Sequence, residues 1–251
     1  MDVRRHDVVF PGWDSGDPGT PENRSIWLYG IEPGGIDSIQ DAINQEVPPP
    51  ENADVANYSV KCQWELRKWP FNRKAHMLIS VVEGMPVNIP TFVQDVRRYA
   101  EVQKIFERDC KGYFKGNLFP QINPNVGTWS EAARMRTGFE KKEEFYNFCR
   151  SYFTNLHNIV QKHKPRLFIG VGIGQSQDFA KVVCGECVDF DVRSFTVNGH
   201  RKRIFLKSGD IPLVVVPHLT GGSNGLNSKD AIVEAGSIIR SFLLKQPAGR
   251  H

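Results

Sequence analysis

Four strand-length runs constrain this chain more than any other feature: residues 26–29, 113–118, 167–171 and 213–216. Ile26-Trp27-Leu28-Tyr29, Leu167-Phe168-Ile169-Gly170-Val171 and Leu213-Val214-Val215-Val216 show no alternation of apolar and polar residues, so each needs cover on both faces. The run at 113–118 is closed by Pro120. Helix-length segments separate these runs. Phe92, Val96, Tyr99, Val102 and Phe106 fall near one face of a helix predicted over 91–108. Phe145, Phe148, Tyr152, Leu156 and Ile159 form the stripe of a long helix over 139–163. A short helix is expected over 177–183, and a closing helix over 228–245 with Ser228 as its N-cap. Strands alternating with helices predict the α/β class: a three-layer αβα sandwich around a mainly parallel four-stranded sheet. Residues 190–197 and 203–207 flank Asn198-Gly199, a strong hairpin signal, which adds an antiparallel β-hairpin.

The remaining segments are less regular. Residues 1–25, rich in Gly, Pro and Asp, are expected to form an irregular arm, 26–246 one domain and 247–251 a tail. A short helix over 36–45 is stopped by Pro48-Pro49-Pro50. Residues 75–82 fit a helix or a strand, and 127–138 are expected to be a loop.

Composition narrows the class. With 40% hydrophobic and 24% charged residues, the chain matches an ordinary globular protein and neither a disordered nor a membrane-spanning one. A net charge of +4 permits a polyanionic partner without requiring one. His200-Arg201-Lys202-Arg203 and Arg97-Arg98 are small basic clusters, of a kind that is more often simply solvated surface. Five scattered cysteines, and no charged-then-apolar leader at Met1-Asp2-Val3-Arg4-Arg5, lead to an expectation of a reducing, cytoplasmic monomer without a membrane partner. Cys184 and Cys187 form a single C-x-x-C. Without a second close pair or His partners, no metal and no cofactor are expected.

In a parallel sheet the loops after all strands share one edge, where sites form. Gly30-Ile31-Glu32-Pro33-Gly34-Gly35 follows the first run, Asn117-Leu118-Phe119-Pro120 ends the second, and Pro217-His218-Leu219-Thr220-Gly221-Gly222-Ser223-Asn224 follows the fourth. A carboxylate, an amide and an imidazole can therefore converge. That set suits cleavage of an N-glycosidic bond. The carboxylate stabilises an oxocarbenium-like sugar or activates water, and a His donor stabilises the departing base. The amide reads a pyrimidine edge.

The G-x-E-P-G-G turn after a buried strand resembles the first motif of the uracil-DNA glycosylase superfamily, seen there as GQDPY or GINPG. Pro217-His218 resembles the start of its second motif, HPSP, and Asn117 its base-reading Asn. This resemblance implies a monofunctional DNA glycosylase whose partner is DNA. Glu32 would activate water and His218 would stabilise the leaving base, the two facing each other across a cavity for one everted nucleotide. Asn117, Gly30, Ile31, Gly34, Gly35 and Phe119 would surround the base. Gly221, Gly222, Ser223 and Asn224 would contact DNA, with Leu226, or else Leu219, as the wedge that fills the vacated stack. This sequence departs from the family in having Glu for Asp and L-T-G-G where the second motif continues S-P. Members strict for uracil place a Tyr after the first-motif proline. Gly34 and Gly35 here predict room for C5-modified pyrimidines, including hypermodified phage bases. Repair and antiviral defence are both compatible settings.

Each residue has a plainer reading. Glu32 fits a carboxylate stabilised by turn amides, Gly34-Gly35 fit turn chemistry, and a lone His or Asn after a strand is commonly structural. Trp69 and Phe71 fit base stacking or core packing, and Gly170-Val171-Gly172-Ile173-Gly174 fits a tight turn. No G-x-S-x-G elbow or Walker loop supports another α/β enzyme. A non-catalytic nucleic-acid-binding module on the same fold is the alternative function.

Overall fold

The computed structural model describes residues 12–34, 70–107, 110–123, 125, 127–220 and 222–246. The expected helix at 36–45, Trp69, Cys62 and the tail at 247–251 lie outside them.

The first strands are β1 (Gly12–Gly16) and β2 (Ile26–Gly30). Helices α1 (Pro70–Val82) and α2 (Phe92–Gln103) precede β3 (Tyr113–Asn117). Next come α3 (Glu131–Thr137), α4 (Lys142–Arg150), α5 (Phe153–His163) and β4 (Leu167–Val171). A single 3-10 turn, Ile173–Gln175, leads into α6 (Ser176–Cys184). The hairpin strands β5 (Asp191–Val197) and β6 (His200–Lys207) are followed by β7 (Leu213–Val216) and α7 (Lys229–Leu244).

The chain is α/β, and its sheet is mixed and larger than the expected four strands plus hairpin. Seven strands pair in the order β1-β3-β2-β4-β7-β6-β5. Within it β3, β2, β4 and β7 are successive parallel neighbours. The extra member is β1, which pairs antiparallel with β3. Within the Gly- and Asp-rich arm, residues 12–16 thus form a strand, because they satisfy the outer backbone groups of β3, whose residues are all buried. The Trp27 indole donates to the Pro18 carbonyl at 2.9 Å and fastens the arm to the core.

Side-chain alternation along the strands divides the core in two. Ile26, Leu28, Ile169, Val171, Val214 and Val216 pack with α1 and α7 through Leu78, Ile79, Ile232 and Ile239. Trp27, Tyr29, Phe168 and Val215 pack with α4, α5 and α6 through Phe145, Leu156 and Phe179. Strands covered on both faces read as continuous apolar runs, which is why β4 and β7 match their expected bounds.

Three local expectations fail. The helix expected over 91–108 stops at Gln103, where Lys104 turns left-handed at φ 50°, leaving Phe106 outside it, and Val102 is 72% exposed instead of on the apolar stripe. Residues 127–138 contain α3, whose Ser130 hydroxyl accepts the Ala133 amide at 3.0 Å as an N-cap. The expected helix over 139–163 begins later and is split. The Phe139 carbonyl is taken by the Trp129 indole at 3.0 Å, and Ser151 closes α4 by donating its hydroxyl to the Phe148 carbonyl at 2.6 Å. Such side-chain bonds compete with the helical ladder. Among the described residues, no helix is long and apolar enough to cross a membrane.

Candidate functional site

The loops after β2 and β3 prolong the parallel ladder beyond the strands. Leu118 N–H donates to Gly30 O at 3.0 Å, Phe119 N–H to Ile31 O at 2.8 Å and Asn123 N–H to Pro33 O at 3.2 Å. Gly34 and Asn123 form a further parallel bridge. This zipped pair of loops brings Asn123 against Glu32. The Glu32 Oε2 accepts from Asn123 Nδ2 at 3.0 Å and from the Tyr146 hydroxyl at 2.9 Å. Oε1 accepts from Lys142 Nζ at 2.9 Å. The Glu32 side chain is only 3% exposed, against 16% for Lys142.

Burial raises the Glu32 carboxyl above its ordinary range, while Lys142, Tyr146 and Asn123 pull it back down. Burial, followed by the neighbouring Glu32 charge, pushes the Tyr146 phenol far up. Its ring stacks on Phe119 at 3.6 Å and 7°. The Arg150 guanidinium sits 5.8 Å from both ring centres and is held by both Asp178 oxygens at 3.0 and 3.2 Å. Glu32 therefore stands on a packed platform. The plainer expectation of turn-amide partners gives way to three side-chain donors from distant elements.

A second set of residues meets at Gly30. A Cβ placed there would lie 2.6 Å from Asn117 Oδ1 and 3.9 Å from Phe71 Cζ. Only glycine lets the Asn117 amide approach this closely. The Phe71 ring, half-buried, meets the His218 ring edge-on with 6.3 Å between centres. His218 Nδ1 accepts the Thr220 backbone N–H at 3.2 Å, so the neutral ring carries its proton on Nε2. Burial first, and the Lys74 charge second, hold the imidazole below its ordinary pKa. At neutral pH His218 is an uncharged donor.

His218 and Ile31 line a cavity of about 410 Å³ together with the turn after β4 (Gly172 to Gln175) and the loop after β7 (Gly222 to Gly225). It opens at the carboxyl edge, between strands whose following helices cover opposite faces of the sheet: α1 after β2 and α6 after β4. Gly172, at φ 130°, brings Ile31 against that turn; a Cβ there would lie 2.6 Å from Ile31 Cδ1. The Gly-rich run 170–174 is thus a tight turn that also forms cavity wall.

Of the expected site residues, Ile31, His218, Gly222, Ser223 and Asn224 line the cavity. Gly30 and Asn117 adjoin it through Phe71. Glu32 is absent from the cavity wall, its carboxylate held instead by Asn123, Lys142 and Tyr146, so the expected arrangement of Glu32 and His218 facing each other across the cavity is not found. Gly34 is exposed, with nothing among the described residues within 4 Å of a Cβ built there. Gly35 and Gly221 lie outside the described residues. Two further assignments need correction. Phe119 is 0% exposed and covered by Tyr146, so no face of it is open to a base. Leu226 is 0% exposed within the core, as is the other wedge candidate Leu219, and its amide donates to the His218 carbonyl at 2.8 Å. It positions the His218 loop and cannot wedge into DNA.

Sequence reasoning missed Asn123, Lys142, Tyr146 and Thr220. Thr220, two residues from His218, was the only one with a local signal. Cys184 is half-buried and Cys187 exposed, both as free thiols. Compared with protein-family models and with curated proteins, the chain finds no match in either.

Proposed function

We propose that this protein is a monofunctional DNA glycosylase, resembling the uracil-DNA glycosylase superfamily, that hydrolyses the N-glycosidic bond of an everted pyrimidine to leave an abasic site. The observation that carries this reading is the placing of His218 on the wall of a cavity of about 410 Å³ at the carboxyl edge of the sheet, its Nδ1 taken by the Thr220 N–H and its Nε2 left to donate. A base leaving as an anion is best met by a preorganised neutral donor that needs no proton exchange at the moment of cleavage. The frame for this is an αβα sandwich with β3, β2, β4 and β7 as its parallel centre.

In hydrolysis, a water oxygen bonds to C1′ as the bond from C1′ to the base nitrogen breaks. The bonding pair leaves with the base, and the water proton neutralises the product. His218 stabilises the charge on the base. Asn117, fixed beside Gly30, reads the base edge. Oε2 of Glu32 already carries two donors and Oε1 only Lys142, so Oε1 has the capacity left to orient water. The proposed substrates include C5-modified pyrimidines, from hydroxymethyl to sugar-bearing bases, because Gly34 follows Pro33 where members strict for uracil carry a Tyr.

One observation favours a second reading, a nucleic-acid-binding module without chemistry: the Glu32 side chain is 3% exposed and lies off the cavity wall. The deciding experiment incubates the chain with oligonucleotides containing uracil, hydroxymethylcytosine or glucosylated hydroxymethylcytosine, then scores abasic sites and identifies the freed base. Release by the native chain, reduced about 100-fold or more in Glu32→Gln with DNA affinity kept, is the expected result. Binding with no release by either protein leaves the module.

A further inference from the structure

His200-Arg201-Lys202-Arg203 opens β6, and residues 192–205 contain no Asp or Glu. β6 outruns its neighbour: Phe205 pairs with Val215, while β7 ends at Val216. The four residues before Ile204 therefore lie beyond the carboxyl end of β7, accompanied by β5 through Ser194↔Arg203, Thr196↔Arg201 and Val197↔His200. At about 3.3 Å per residue the hairpin projects roughly 13 Å past β7. It does so on the edge that carries the cavity. Asn198 and Gly199 at φ 51° and 76° supply the turn such a projecting hairpin needs.

Alternation sorts the basic side chains. Lys202 turns inward, is 3% exposed and donates its ammonium to the carbonyl of Ser223, a cavity-wall residue. Arg201 and Arg203 lie on the opposite face and are exposed. The Arg201 guanidinium donates to Ser194 Oγ at 3.2 Å, and that of Arg203 lies 5.9 Å from the centre of the Phe205 ring. Neither has a carboxylate partner among the described residues, whereas Arg193 on β5 is paired with Asp191.

We infer that this projecting hairpin is a nucleic-acid contact surface, with Arg201 and Arg203 on phosphates of the strand whose nucleotide enters the cavity and Lys202 coupling the hairpin to the cavity loop. The nucleotide's entry rests on the glycosylase reading; the phosphate contact does not. A polyanion with regularly spaced phosphates complements two adjacent unpaired guanidiniums on a segment free of acidic residues.

The test titrates the full chain with a fluorescent oligonucleotide duplex over about 50 to 200 mM salt. It compares the native protein, Arg201→Ala/Arg203→Ala and Arg201→Lys/Arg203→Lys, and scores base release in parallel. The Ala pair should bind about tenfold more weakly, and its slope of log K against log salt should be shallower by about 2. The Lys pair should restore most of the slope, and thermal melting should be unchanged in both. Base release with an unchanged slope overturns the hairpin assignment alone. A shallower slope without base release by any version sustains it and removes the glycosylase reading. No oligonucleotide binding by the native chain, or a loss confined to anionic phospholipid vesicles run alongside, overturns the assignment.

Discussion

Glu32 and Lys142 form a pair in which the carboxylate is almost fully buried and the lysine slightly less so, and this asymmetry determines how each responds to substitution. Burial holds the Glu32 carboxyl up and the ammonium opposes it. Lys142→Met removes the opposing charge, so the Glu32 pKa rises further. If the ionised carboxylate serves base release, the acid limb of the pH–rate profile moves to higher pH; an unmoved limb separates Glu32 from the chemistry. The same substitution leaves a buried carboxylate without its cation and should cost about 3 kcal/mol near neutrality. The sign with pH follows from linkage. A carboxyl whose folded pKa is raised contributes stability below the unfolded pKa and loses it as pH rises through the folded value. Urea melts of the variant between about pH 4 and 8 should therefore show the deficit growing with pH, and a flat deficit rules out the ion-pair account.

At the scale of elements, the site edge depends on how α7 begins. The Ser228 hydroxyl accepts the Ala231 amide at 3.2 Å, directly after the loop that carries Ser223 to Gly225. Ser228→Ala should cost about 1 kcal/mol, measured by urea denaturation. With α7 packed on α1 beneath the β7 strand end, base release should fall less than stability does. A loss of activity with no loss of stability would show the cap acting on the loop instead of on the helix. The break between α4 and α5 matters in the same way. It sets α4 so that Lys142 and Tyr146, four residues apart on one helical face, both reach Glu32.

For the whole molecule, the two sheet edges are treated differently. β1 seals β3 on one side, and β5 leaves the other side exposed. Deleting residues 1–16 uncovers the backbone of β3, a ready template for strand pairing. The truncated chain should melt lower and self-associate by light scattering. A monomer with unchanged melting would mean that β1 merely rests on the edge.

Much of this architecture was legible in the chain itself, and the reason differs by element. β4 and β7 matched their runs because a strand covered on both faces has no polar register to obscure it. Asn198-Gly199 announced its hairpin because positive φ at both positions is a local steric matter. The seven-residue α3 is too short for helical periodicity to register. The Gly-Trp-Asp-Ser-Gly strand β1 has little strand propensity and exists because β3 offers it hydrogen bonds. In the site, Glu32, Asn117 and His218 were visible because each lies at or just past the carboxyl end of a strand.

Local sequence determined the four parallel strands, the hairpin, the α7 cap and the three polar groups at the sheet edge, since burial pattern, φ and capping act over a few residues. Tertiary structure alone decided that Glu32 lies off the cavity wall, bound by Asn123, Lys142 and Tyr146 from 91, 110 and 114 residues away. It alone decided that Leu226 is core, and that a basic tetrapeptide projects beside the cavity. Such contacts depend on where a helix docks and how far one strand outruns another, which no short window of residues encodes.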